Sequence, residues 1–165
     1  MAASLKRTSE LIVIGATITE SAVNIFTELQ VDLQLNPLDN EVFVVQALDL
    51  DLGAPDVVGV TNTKMTAAVT TTSQGSMPSL AKSTTLAHKE VQIRGGAVGF
   101  TSGSMETPPT TLDRIGLIST NDFFIQVGGT GNLAPHSVTI KMYGYRAKAT
   151  AATYAALVQS EILSA

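Results

Sequence analysis

Apolar and polar residues alternate along most of this chain. In "ELQVDLQL" (28–35), Leu29, Val31, Leu33 and Leu35 fall on one side, and Gln30, Asp32 and Gln34 on the other. That period belongs to a half-buried strand, so the four apolar residues are expected to face a core. "EVFVVQALDLDLG" (41–53) begins as a continuous apolar run and ends by alternating Leu48, Leu50 and Leu52 with Asp49 and Asp51. This predicts a long strand whose first half is covered on both faces. Further strands are predicted at 10–19, 64–73 and 89–100. "RIGLIST", "DFFIQVG" and "SVTIKMYGYRAKA" complete a set of eight, all rich in Val, Ile and Thr, which suit a pleated surface.

Turn chemistry separates these runs. "NPLDN", "GAPD", "SQGSMPS", "TSGSMETPPT" and "TNDF" supply Gly, Pro, Asn and Asp where the chain must reverse. Residues 73–89 form the longest stretch without a pattern, a candidate functional loop or intersubunit arm. Only the end departs from β periodicity. "TAATYAALVQSEIL" puts Ala151, Tyr154, Ala155, Val158 and Ile162 on one helical face, with Thr150 or Thr153 as N-cap. A helix so short must dock on something. The pattern therefore predicts an all-β sandwich or barrel over 10–149, preceded by an arm (1–9) and followed by a helix (150–165).

Composition sharpens this picture. Charged residues make up 15% of the 165-residue chain, with 44% hydrophobic residues and a mean hydropathy of +0.24, against about 25% charged in average soluble domains. A surface so short of charge is expected to be covered, most economically by copies of itself. The arm has too little apolar surface to fold alone, and Leu157 and Leu163 lie off the main helical stripe. At least one terminus is therefore expected to contact another copy. The longest apolar runs fall far short of the roughly 20 residues of a membrane span. "MAASLKRTSE" and the short run after it lack the features of a signal peptide. A net charge of −4 and the absence of any basic block argue against direct nucleic-acid packaging.

Little in the chain points to catalysis. Gly128-Gly129-Thr130-Gly131 follows a strand as a phosphate loop would, but "NLAPHSVTIKMY" continues as another strand rather than a helix. With no helix N-terminus to receive an anion, a hairpin turn is expected. Gly15 in "LIVIGAT" stands alone and fails the same test. Ser79-Leu80-Ala81-Lys82 matches S-x-x-K without its companion motifs. His88 and His136 are the only histidines, neither at ligand spacing to a carboxylate.

Two charge groups are the best candidates for binding. Asp39, Glu41, Asp49, Asp51 and Asp56 offer hard oxygens for Ca²⁺ at a subunit boundary; Asp49 and Asp51 share a face roughly 7 Å apart. The bland alternative is a solvated strand end that discourages edge pairing. Lys141, Arg146 and Lys148 interleave with Tyr143 and Tyr145, as single-strand binders do. Rim contacts to neighbouring subunits explain them more simply.

The order of elements resembles the single jelly-roll capsid proteins of icosahedral viruses. "TELQVDLQL", "EVFVVQALDLDL" and "FFIQVGGTGNLAPHSVTIKMYGY" carry the likeness, which lives in pattern and composition over most of the chain. It implies an eight-stranded antiparallel β-sandwich (jelly roll) with a short C-terminal helix. It also implies a non-catalytic shell subunit located in the virion, whose partners are its own copies and other virion proteins. The chain departs from the genome-binding basic arm of many such proteins, which favours an outer-shell role. The alternative is a secreted or cell-surface β-sandwich, either a filament subunit or a carbohydrate-binding module. The second of these would ordinarily show exposed aromatics, and the chain has no Trp and three Tyr.

Overall fold

A computed structural model of the protein describes residues 5–96, 100–103 and 112–163. Residues 1–4 of the expected arm, 97–99 of the expected strand 89–100, and 104–110 of the expected turn "TSGSMETPPT" lie outside them. Ten strands occur among the described residues, where eight were expected: β1 (Leu5–Arg7), β2 (Ile12–Thr19), β3 (Thr27–Asp32), β4 (Glu41–Leu52), β5 (Thr63–Thr70), β6 (Thr85–Arg94), β7 (Phe100–Gly103), β8 (Gly116–Ile118), β9 (Asp122–Thr130) and β10 (Ser137–Ala149). One helix, α1 (Ala151–Leu163), follows.

All pairings are antiparallel. β10 lies in the middle of one sheet, with β4 and then β8 on one side and β2 on the other; β1 continues along the β2 edge. The second sheet runs β3-β9-β5-β6-β7. The extra strands have local causes. The predicted strand 89–100 is interrupted at Gly95-Gly96, where Gly96 has φ +148° and a Cβ on Gly95 would strike the Val60 backbone. β7 then returns against β6, pairing Val91 with Gly103.

The sheets face each other over one core. Phe43, Ile118, Ile140 and Met142 enter it from the first sheet; Met65, Phe123, Ile125 and Val127 enter from the second. Leu33 and Leu35 are buried as the alternation requires, although β3 ends at Asp32. Val31 is half-buried, and Leu29 remains 37% exposed because β3 is an edge strand.

The two-sided run in β4 has its predicted second cover. Val42, Val44, Ala147 and Ala149 form a separate buried cluster on the outer face of the first sheet, closed by Leu117, Tyr145, Tyr154 and Leu157. Thr150 is the N-cap: its Oγ1 accepts from the Thr153 N–H at 3.3 Å, and its carbonyl from the Tyr154 N–H at 2.8 Å. The docked face differs from the expected stripe. Tyr154, Leu157 and Glu161 turn inward, while Ile162 is 64% exposed. Glu161 explains the rotation. Its buried carboxylate accepts from the Ser119 and Thr120 N–H groups, each at 3.0 Å, so this polar residue points inward while the apolar Ile162 does not.

The described part of the N-terminal arm, residues 5–9, is tied to its own chain as well. β1 pairs with the last residues of β10, Arg7 stacks 4.5 Å from the centre of the Tyr145 ring, and Ser9 Oγ accepts from the Arg146 N–H. Both described ends therefore pack on their own chain.

Candidate functional site

The glycine-rich segment ends one sheet and begins the other. Gly128, Gly129 and Thr130 complete β9, while β10 starts at Ser137 in the opposite sheet. The connection is strand to strand, yet it crosses between sheets instead of forming the expected hairpin. Gly131 makes the turn at φ +72°, where a Cβ would also sit 2.6 Å from the Asn62 carbonyl. Gly129 is needed for space: its Cβ would lie 2.5 Å from Asn132 Nδ2 and 2.9 Å from Met65 Sδ.

A polar clasp fixes this crossing. Asn132, 4% exposed, exchanges hydrogen bonds with Asn24: the Asn132 N–H donates to Oδ1 at 3.0 Å, and Asn24 Nδ2 donates to the Asn132 carbonyl at 2.9 Å. Asn132 Oδ1 accepts from the Asp56 N–H, and Nδ2 donates to the Lys64 carbonyl, both at 3.0 Å. The buried Glu20 carboxylate accepts from the Gly129 N–H at 2.7 Å and the His136 N–H at 3.0 Å. Asp56 Oδ2 accepts from the Leu133 and Ala134 N–H groups at 2.8 and 3.1 Å. The Leu133 N–H leads in holding the Asp56 carboxyl below its ordinary value, with His136 and Ala134 helping and desolvation opposing. His136 Nε2 stands 3.2 Å from Asp56 Oδ1, close enough for an ion pair but without hydrogen-bond alignment.

Hydrogen bonds thus tie three loops from distant parts of the chain together at one end. On it Ile25, Val57, Val60 and Leu133 are left 50%, 79%, 84% and 72% exposed. Glu20, Asn24 and Asn132 went unnoticed in the sequence because single polar residues in turns carry no period.

The two charge groups turn out to face each other. Lys148 Nζ lies 2.6 Å from Asp39 Oδ1, and Arg146 lies 3.7 Å from the Glu41 carboxylate. Arg146 also donates to the Leu33 carbonyl at 3.0 Å. Further along the same ladder Lys141 is the register partner of Asp49, and Thr139 of Asp51. Asp39 and Glu41 are thus engaged at one end of β4, while Asp49 and Asp51 lie roughly 25 Å away along the strand. Asp56, the fifth candidate, is taken up by the Leu133 and Ala134 N–H groups, so the five candidate calcium ligands do not converge within one subunit. No group of three His, Cys, Asp or Glu side chains suited to a metal occurs among the described residues.

A cavity of about 440 Å³ opens on the outer face of the second sheet. Lys64, Thr66, His88 and Glu90 form its floor, and residues 75–79 its rim. The rim belongs to the unpatterned stretch, which Glu28 anchors by accepting from Gln74 N–H and Gln126 Nε2, each at 2.8 Å. Ser79 and Lys82 do not act as a pair. Ser79 Oγ accepts from the Ala81 N–H, and Lys82 Nζ donates to Gln74 Oε1 at 2.8 Å.

Burial first, with Lys64 adding to it and Glu90 opposing, holds the half-buried His88 imidazole below its ordinary 6.5. The unfolded chain therefore binds the proton more readily than the folded one. His88's contribution is intact above 6.5 and is lost as pH falls from there through the lower folded value. Between pH 6.5 and about 5, the natural protein should lose more stability than His88→Gln. Urea unfolding across a pH series measures this, and parallel curves would remove His88 from the account.

No protein-family model and no curated protein matches this sequence. No helix among the described residues is long and apolar enough to cross a membrane.

Proposed function

We propose that this protein is a self-assembling virion subunit, a non-catalytic component of a jelly-roll shell. The nested strand pairing is the observation that supports the jelly-roll part of this reading. β2 pairs with β10, β3 with β9, β4 with β8, and β5 with β6. Four antiparallel pairs nested in this order are what a single long hairpin gives when it is rolled into two facing sheets. β1 and β7 are additions at the edges. Such rolls serve in viral shells and also in sugar-binding proteins, so the fold alone does not choose between them.

Surface chemistry favours the shell. Charge is sparse at 15%, and the apolar Ile25, Val57, Val60 and Leu133 project from a loop end cross-linked by hydrogen bonds, a surface suited to assembly. The termini lend no support, since both described ends pack on their own subunit. Sedimentation velocity and negative-stain microscopy over a concentration series test the reading. Closed particles, or oligomers with the symmetry of their fragments, are expected. Fibres would favour the filament alternative, and a monomer at every concentration would overturn self-assembly.

A further inference from the structure

We propose that β2 is the docking edge for a second copy of this chain, the two β2 strands pairing antiparallel about a two-fold axis. This rests on the self-assembly reading and names the surface that serves it. β2, "IVIGATIT", bonds to β10 on one side, and among the described residues no backbone hydrogen bond reaches its other side.

The strand has none of the devices that keep such edges apart. It contains no charge and no proline, and its register against β10 is unbroken over all eight residues. The other edges differ. β8 is three residues long, β7 four, and β3 carries Glu28 and Asp32 within six. Among the described residues, only the β2 edge is both long and unguarded.

The side chains along it are also incompletely covered. Ile12, Ile14 and Ala16 pack on the core but are only partly buried, and Leu11 and Val13 are 52% and 47% exposed. Leu29, on the neighbouring edge of the facing sheet, is 37% exposed. Together these residues make an apolar rim beside a row of free backbone groups.

An unpaired edge recognises extended backbone, and a two-fold antiparallel joint sets this strand against itself. Self-pairing fails where like charges meet, and β2 has none. The nearby Arg7 and Glu10 lie outside the strand, 3.8 Å from each other. In such a dimer the two apolar rims meet across the joint, and the two sheets become continuous.

The test compares the natural full-length protein with a Val13→Lys/Thr17→Lys variant, which places cations at two exposed positions of the edge. Val13→Thr/Thr17→Val is the uncharged control. Sedimentation velocity should show association weakened at least about tenfold in the lysine variant and unchanged in the control, with both retaining the natural thermal midpoint. Hydrogen exchange in residues 12–19 of the natural protein should slow on going from dilute to associated samples. If the lysine variant does not fold, that exchange difference decides the matter alone. Natural protein that assembles with exchange in 12–19 unchanged overturns the β2 joint and leaves the shell reading standing. A monomer at every concentration overturns both. Protection of β2 only after a different protein is added overturns the second copy as its occupant.

Discussion

A chain ending at Ala149 should not persist as a soluble domain. α1 closes the cluster of Val42, Val44, Ala147 and Ala149, so its removal opens an apolar patch at one end of the central strands β4 and β10. The Ser119 and Thr120 N–H groups also lose the Glu161 carboxylate. Each hydrogen bond to a charged group contributes about 1.5–3 kcal/mol, so those two alone approach the lower end of the roughly 5–15 kcal/mol that holds a typical domain together. The truncated chain should aggregate or bind a hydrophobic dye, and Glu161→Gln in the full chain should lower the denaturant midpoint without that exposure. A soluble truncated chain with the natural midpoint would show the helix to be an accessory. This differs from the sequence's picture of a helix serving assembly, because the run "VFVV" needs cover from within its own subunit.

Gly144→Val should be the most damaging single substitution. At Gly144 the register of β10 against β4 shifts. A Cβ there would fall on the Val44 carbonyl oxygen and 2.5 Å from Cε1 of Phe43, a ring 1% exposed in the core. Neither neighbour has room to retreat. Even Gly144→Ala should cost more than about 3 kcal/mol, beyond ordinary overpacking, as read from urea midpoints. Adding Phe43→Leu should fail to restore stability, because the carbonyl remains. A restored midpoint would place the conflict with the ring.

Most of the strands could be read from the sequence, for a physical reason. Alternation over "SVTIKMYGYRAKA" marks β10 to the residue, and the double-sided run in β4 foretold cover on both faces. β1 and β7 are too short to show a period. The crossing after β9 escaped notice because a turn within one sheet and a turn between two use the same residues. The helix face was misjudged because periodicity counts Glu161 as polar and therefore outward, whereas its carboxylate meets two otherwise unpaired backbone donors. At the candidate site the acidic and basic groups were visible in sequence, but their mutual pairing across β4 and β10 depends on a register set by distant residues. The clasp of Glu20, Asn24 and Asn132 left no trace at all.

The central place of β10 governs when this molecule can fold. Its partners β2 and β4 leave the ribosome long before it does, and Thr19 must wait for Ser137, its partner in the ladder. At about 5–20 residues per second, that separation amounts to roughly ten seconds of synthesis. Through that interval a nascent chain holds "IVIGATIT" and "VFVV" with no strand between them, and the first sheet cannot close. Such late, long-range closure makes folding slow. It also makes the crowded polysome, where many unfinished chains lie side by side, the setting in which mispairing is most dangerous.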